Sequence, residues 1–341
     1  MPVSVPFTFV SQSGNVPASE LDSNNTTITN YINNRNPSSG VLGSRPAAGN
    51  AGAIYTATDV AGGTPYLDTG SGWIQLGAGV NVSSIVSQVL VGLTLSNDGG
   101  SPNTVLDIAA GGCNSDDSVL ANRILMTVST AMTKNMNAAW AVGTGNGGNN
   151  AGASLAASTW YDVFVIERTD TGVVDVLADT TLSPSLPSGY TQKRRIGSFK
   201  TDGASHIVAF TQQGDYFRWA ASVLDINESP GATTAVTKTL ASVPLRTNVQ
   251  AILNATVVPN GTTGAAYLSD LAANDEAASI SAAPLAQISW NGSLLNAAGL
   301  DASNMLIRTN TSSQIRYRLS AAAATLLVAT LGWYDRRGQD T

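Results

Sequence analysis

An all-β fold, a β-sandwich or jelly-roll-like domain behind a short N-terminal helical and extended segment and a small β meander, is what this sequence predicts. Three observations predict it. From about residue 88 onward, short runs alternate apolar and polar residues, the pattern of half-buried strands. Gly, Asn, Asp and Pro punctuate those runs at close intervals, as turns require. Finally, 43% of the 341 residues are hydrophobic and only 12% are charged, against roughly 25% charged in an ordinary globular chain. A real core can therefore be buried, with short uncharged polar side chains keeping the surface wet.

Residues 1–36 read as a unit. An extended Val5–Val10 piece leads to Ser19-Glu-Leu-Asp22, which resembles a capping box. Leu21, Ile28 and Ile32 then fall on one helical face beside Tyr31. Five Asn and three Thr lie between positions 24 and 34, so the helix has poor intrinsic propensity and needs a partner. Residues 37–87 read as a linker followed by strands at Ala53–Thr58, Thr64–Asp68 and Trp73–Leu76, with positions 77–87 ambiguous between helix and strand.

Residues 88–341 form the predicted C-terminal β domain. A strand covers 89–95, and Trp160–Arg168 turns at Thr169-Asp-Thr-Gly172 into Val173–Ala178, a strong hairpin. A meander follows over Thr191–Lys200, His206–Thr211 and Asp215–Val223. Further strands are predicted at 236–243, 249–258, 265–268, 286–290, 306–309, 314–319 and 326–334, with room for a helical turn in the Ala-rich 272–286.

Several function classes fall on composition. One Cys (Cys113) and one His (His206) leave neither an internal disulfide nor a Cys/His zinc site. No apolar stretch reaches the ~20 residues of a membrane span. The opening residues lack a basic region followed by an apolar one, so no secretory signal is predicted. A net charge of −6 disfavours nucleic acid and anionic membranes as partners. No cofactor and no metal ligand set is predicted: Asp116-Asp117 reads as a solvated turn, and Gly143–Gly148 lacks the Gly-Lys-Ser/Thr ending of a phosphate loop. Glycoside hydrolysis needs two carboxyls roughly 5–9.5 Å apart, for which Asp162, Asp215 and Asp225 lie near aromatics. Turn-capping and strand-face solvation account for them better, and no enzyme is predicted.

Two charged clusters remain as contact candidates. Gln192–Lys200 holds four of the 17 basic residues, with Lys193 and Arg195 on one strand face. Arg316 and Arg318 share a face opposite Tyr317, and Trp333 and Tyr334 with the following arginines suit a subunit interface or a sugar face. The partner or receptor contact residues predicted are thus Leu21, Ile28, Tyr31, Ile32, Lys193, Arg195, Arg316, Arg318, Trp333 and Tyr334.

Three stretches carry a resemblance. Phe7–Asp22 resembles the N-terminal segment of tailed-bacteriophage fibre proteins. Arg45-Pro-Ala-Ala-Gly-Asn-Ala-Gly-Ala-Ile-Tyr-Thr-Ala-Thr-Asp59, ending at Gly72-Trp-Ile-Gln-Leu76, is similar to a β motif of phage and prophage tail proteins. Met132-Thr-Lys134, Ala139–Gly148, Trp160-Tyr-Asp-Val-Phe164, Gly189–Ser198 and Gly332-Trp-Tyr-Asp-Arg-Arg-Gly338 look like a C-terminal region of phage tail-fibre or virion structural proteins. The resemblance implies a virion protein assembled in the host cytoplasm: a homotrimeric tail fibre or related appendage, joined to other virion proteins through its N-terminal segment and meeting a host glycan or partner through its β domain. A capsid head fibre or decoration protein is the alternative, and a polysaccharide-degrading tailspike a more distant one.

Overall fold

In the computed structural model the described residues are 18–33, 38–59, 63–76, 89–119, 122–259, 261–291, 303–322 and 325–339. The extended piece at Val5–Val10 and the ambiguous 77–87 lie outside them. The chain divides into two compact units, Met1–Val82 and Ser83–Thr341.

The first unit holds helix α1 (Ala18–Asn33) and a sheet of four strands, β1 (Ser38–Gly40), β2 (Ile54–Ala57), β3 (Thr64–Asp68) and β4 (Trp73–Gln75), paired in that order. The helix begins at Ala18, so Ser19 lies inside it rather than at its cap. Strands β2 to β4 form the antiparallel meander read from the sequence. The stretch read as a linker departs from expectation, because Ser38–Gly40 adds to β2 as a parallel edge strand. Tyr55 explains the addition: its hydroxyl donates to the Val41 carbonyl at 2.8 Å, and its oxygen lies 2.7 Å from where a Cβ on Gly40 would stand. The buried Asp68 closes β3. Its carboxylate accepts backbone N–H bonds from Gly49, Asn50 and Gly70 at 2.9, 2.8 and 2.6 Å. Burial alone would raise its pKa, but these donors prefer the anion and hold it below the ordinary value.

Among the described residues the second unit has nineteen strands. They are β5 (Leu90–Gly92), β6 (Leu95–Asn97), β7 (Val105–Ile108), β8 (Gly111–Asn114), β9 (Leu125–Val128), β10 (Met132–Ala139), β11 (Gly147–Asn149), β12 (Trp160–Glu167), β13 (Val174–Asp179) and β14 (Gln192–Lys200). After these come β15 (Phe210–Gln213), β16 (Tyr216–Glu228), β17 (Val236–Thr239), β18 (Gln250–Val258), β19 (Gly264–Ser269), β20 (Ile288–Trp290), β21 (Ser303–Arg308), β22 (Gln314–Leu319) and β23 (Thr325–Tyr334). They make a seven-stranded sheet (β14-β12-β13-β11-β10-β7-β6), a five-stranded sheet (β15-β16-β23-β18-β21), and smaller sheets β17-β22-β19-β20 and β5-β8-β9. The fold is all-β.

The β12–β13 hairpin forms as predicted, with Val163 opposite Ala178. The meander over 191–223 does not stay in one sheet. Strand β14 pairs with β12, whereas β15 and β16 pair in the five-stranded sheet. The crossing is made at a turn where Asp202 accepts the N–H bonds of Ala204 and His206. The run at 89–95 likewise splits, at Leu93 with φ +53°, into β5 and β6 of different sheets. No helix appears in the described residues of 272–286; Asp270 caps the N–H groups of Ala272 and Ala273 there instead.

Aromatics join the two largest sheets. Trp160 of β12 meets Trp219 of β16 and Trp333 of β23 at ring-centroid distances of 5.9 and 5.5 Å. Trp333 also stacks on Phe217 at 5.1 Å. These rings bridge the two sheets, while most of the core around them is aliphatic. One ion pair is sealed into the seven-stranded sheet: Lys134 Nζ lies 2.9 Å from Asp175, and neither side chain is exposed. Lys134 also donates to the carbonyls of Ala141 and Gly143, while Asp175 accepts from the Gly143 N–H at 2.8 Å. Burial pulls the lysine pKa down against the opposing pull of Asp175. The glycine-rich tip after β10 is thus a tethered turn.

Candidate functional site

The site grows from a buried arginine. Strand β14 delivers Arg195 into the interior, where Nε donates to Asp162 at 2.8 Å and Nη2 to Asp335 at 2.7 Å. Asp162 is held from its other side by Arg246 at 2.8 Å and by the Ser198 hydroxyl at 2.6 Å. Burial alone would lower the Arg195 pKa, but the two carboxylates outweigh it and raise it. Asp335 also accepts the Arg337 N–H at 2.8 Å, and the Arg337 guanidinium donates to Asp215 at 3.0 and 2.8 Å. Arg195 and the turn at Asp335–Arg337, distant in sequence, therefore join one network that fixes the end of β23.

Strand alternation then sorts the residues of β23. Trp333 points inward and is fully buried, in register with Phe217 and Ala251. Tyr334 points outward and is 39% exposed. It belongs to a rung across all five strands: Gln213 opposite Tyr216, Tyr216 opposite Tyr334, Tyr334 opposite Gln250, and Gln250 opposite Arg308. Partners directly opposite share a face, so this rung is a strip of outward side chains. Tyr216 and Tyr334 pack at 5.1 Å between centroids, and Arg218 donates to the Tyr216 hydroxyl at 3.2 Å. The next rung carries Arg218, Gly332, Ile252 and Leu306. Gly332 is required there: a Cβ would stand 2.1 Å from the Phe217 carbonyl oxygen.

Beside the rung opens a cleft of about 530 Å³, lined by Asn248, Gln250, Arg308, Tyr334, Arg336 and Arg337 among others. A smaller cleft of about 160 Å³ shares Asn248 and Arg308 and adds Asp270. The side chains of Asn248, Gln250 and Arg308 are exposed and make no hydrogen bond or ion pair with any described residue. Of the cleft's charges, Arg337 is committed to Asp215, and Asp335 to Arg195. Arg336 also lies 3.7 Å from Asp215, whereas Arg308 has no ion-pair partner among the described residues, so the cleft favours an anion inside a chain of net charge −6.

The residues predicted as contacts are placed very differently from one another. Leu21 and Ile28 are 46% and 40% exposed on α1; Tyr31 and Ile32 belong to that helix, but their side chains lie outside the described set. Lys193 is half-buried and pairs with Asp116 at 2.7 Å, which ties the acidic turn to β14. Arg316 donates to the carbonyls of Ala273 and Asn274, and Arg318 pairs with Asp275 at 3.0 Å; both lie opposite the buried Tyr317, as alternation predicts. Arg195 and Trp333 are buried in this chain, so, unlike Tyr334, neither presents its side chain on the outer face of its sheet. Of the acids considered for glycoside hydrolysis, Asp162 is held by Arg195 and Arg246, and Asp215 by Arg337. Asp225 accepts from the hydroxyls of Ser242 and Thr330, and burial raises its pKa. Gln250, Arg308 and Asn248 were not singled out in the sequence. Outward parity was readable within each strand, but not the register that aligns four strands behind Tyr334.

No protein-family model matches the chain, and no curated protein matches it. Among solved structures the chain is similar to a protein titled "Major Tropism Determinant P3c Variant", at 18% identity, covering 59% of this chain and 55% of that one, with a TM-score of 0.25.

Proposed function

We infer that the chain is a non-enzymatic structural subunit of a bacteriophage particle: a homotrimeric tail fibre or related appendage, anchored to other virion proteins through residues 1–36 and presenting its β unit to a host surface or partner. The observation that carries this reading is the bare apolar stripe of α1. Leu21 and Ile28, seven residues apart and so on one helical face, are 46% and 40% exposed. A helix this rich in Asn and Thr gains its stability from packing rather than propensity, and a stripe of this width suits equivalent helices around a symmetry axis. The engagement of Asp162, Asp215 and Asp225 within the chain supports the non-enzymatic part.

Light scattering on the purified full-length chain tests the reading. A stable trimer that falls to monomer in Leu21→Ser/Ile28→Ser supports it. A monomer at all concentrations overturns the trimeric appendage and favours a decoration protein that assembles only on the capsid.

A further inference from the structure

We propose that the cleft beside Tyr334 binds a carboxylate-bearing saccharide. This rests on the reading of the β unit as a host-surface contact and names the chemistry that such a contact takes. Four features converge. Arg308 offers a guanidinium fork with no partner among the described residues, the geometry that recognises a carboxylate through two parallel hydrogen bonds. Asn248 and Gln250, equally unpartnered, offer donors and acceptors together, which suits the vicinal hydroxyls of a sugar. Tyr334 supplies an exposed aromatic face, braced from behind by Tyr216 at 5.1 Å, against which the C–H face of a pyranose packs. The space, about 530 Å³, admits a short oligosaccharide rather than a single ion.

The support beneath these groups is rigid. Tyr334, Gln250 and Arg308 stand in one rung of a hydrogen-bonded sheet, and the turn bearing Arg336 and Arg337 is pinned through Asp335 to the buried Arg195. A site on strands needs little ordering when its ligand arrives. Neutral sugar would satisfy the amides and the ring but would leave Arg308 unmatched. Nucleic acid would need a wider basic field than this cleft has.

Calorimetric titration of the full-length chain with trigalacturonate and with 3′-sialyllactose tests the proposal, with the methyl ester of trigalacturonate as the uncharged twin. At least one acid should bind saturably below roughly 10 mM, the affinity range that multivalent display can use. Arg308→Gln should weaken that binding about tenfold or more with little change in melting temperature, because the Arg308 side chain makes no hydrogen bond or ion pair with any described residue, and Tyr334→Ala should weaken it similarly. If trigalacturonate is the binder, its methyl ester should bind about tenfold more weakly; if sialyllactose is, lactose takes the role of uncharged twin. The proposal is overturned if neither acid binds, if the uncharged twin binds equally well, or if acetate competes as effectively as the sugar. It also falls if Arg308→Gln alters the oligomeric state instead of binding, which would make this face a contact between copies. The light-scattering result on the α1 variant enters none of these outcomes, so the two readings fail separately.

Discussion

In the first unit Asp68 binds three backbone N–H groups, two of them on a loop some eighteen residues back and one two residues ahead. In the second, Asp162 and Asp335 meet the guanidinium of Arg195, 33 and 140 residues away. Both devices bury a carboxylate in a chain with few charges, yet they do different work. Asp68 organises one loop through neutral peptide dipoles, so its loss is a local event. Arg195 ties strand β12 to the end of β23; Asp335 is neutralised by it, and Asp162 by it together with Arg246. A scarce charge placed among strands distant in sequence thus controls far more structure than one placed inside its own turn.

Arg195→Met should produce the largest effect. It leaves Asp162 and Asp335 buried with less compensation, and losing one partner of a buried pair costs about 3–5 kcal/mol, a sizeable share of the ~5–15 kcal/mol that holds a domain. A urea titration followed by Trp fluorescence reads it, since Trp160, Trp219 and Trp333 lie in the affected interior. Asp162→Asn/Arg195→Met/Asp335→Asn should recover part of the loss; no recovery would mean that Arg195 acts by packing rather than by charge.

Two glycines sharpen the contrast at a smaller scale. Gly332→Ala would drive a Cβ into the backbone of the neighbouring strand, and such overpacking typically costs about 1–3 kcal/mol. Gly40→Ala would meet only the Tyr55 hydroxyl, the movable end of a side chain. Thermal melts should show a clear drop for the first and a much smaller one for the second; equal drops would break the distinction.

Asp68→Ala should abolish amide-exchange protection at Gly49, Asn50 and Gly70 while leaving the urea midpoint of the second unit unchanged. Acid gives the same contrast. The folded pKa of Asp68 is depressed, so its contribution is full above the unfolded value of about 3.9 and is lost as pH falls through the folded one. The folded pKa of Asp225 is raised by burial, so the penalty for keeping it ionised is relieved as pH falls through that raised value. Hydrogen exchange below about pH 4 should therefore loosen the Asp68 loop before the Asp225 region. The smallest effect concerns Cys113. It is fully buried, and burial pushes its thiol up to about 12, so a thiol reagent should label it only as fast as the second unit opens.

Much of this was legible in the sequence, because alternation and turn residues report local geometry. The β12–β13 hairpin, the β2–β4 meander, the helix at 18–33 and the parity of Arg316, Tyr317 and Arg318 all follow from neighbours within a few positions. What stayed hidden depends on pairing at a distance. Nothing local shows that β14 and β15 leave for different sheets, that Ser38–Gly40 finds an edge to join, or that Arg195 reaches Asp335. The candidate site was half readable: Tyr334 stood out as an aromatic beside arginines, whereas Arg308 and Gln250 gain meaning only through register.

Strand β23 lies in the middle of the five-stranded sheet, hydrogen-bonded on one side to β16 and on the other to β18. It is also the last of that sheet's strands to leave the ribosome. Strands β16, β18 and β21 are already made when it emerges, yet β16 and β18 have no direct pairing with each other. Without Thr325–Tyr334 the pairings of this sheet divide into two pieces, β15-β16 and β18-β21, and Trp160, Phe217 and Trp219 lack the ring of Trp333. Completion of this sheet therefore waits on pairings of high contact order, and strand edges that stay unpaired until then are the ones open to association with other chains.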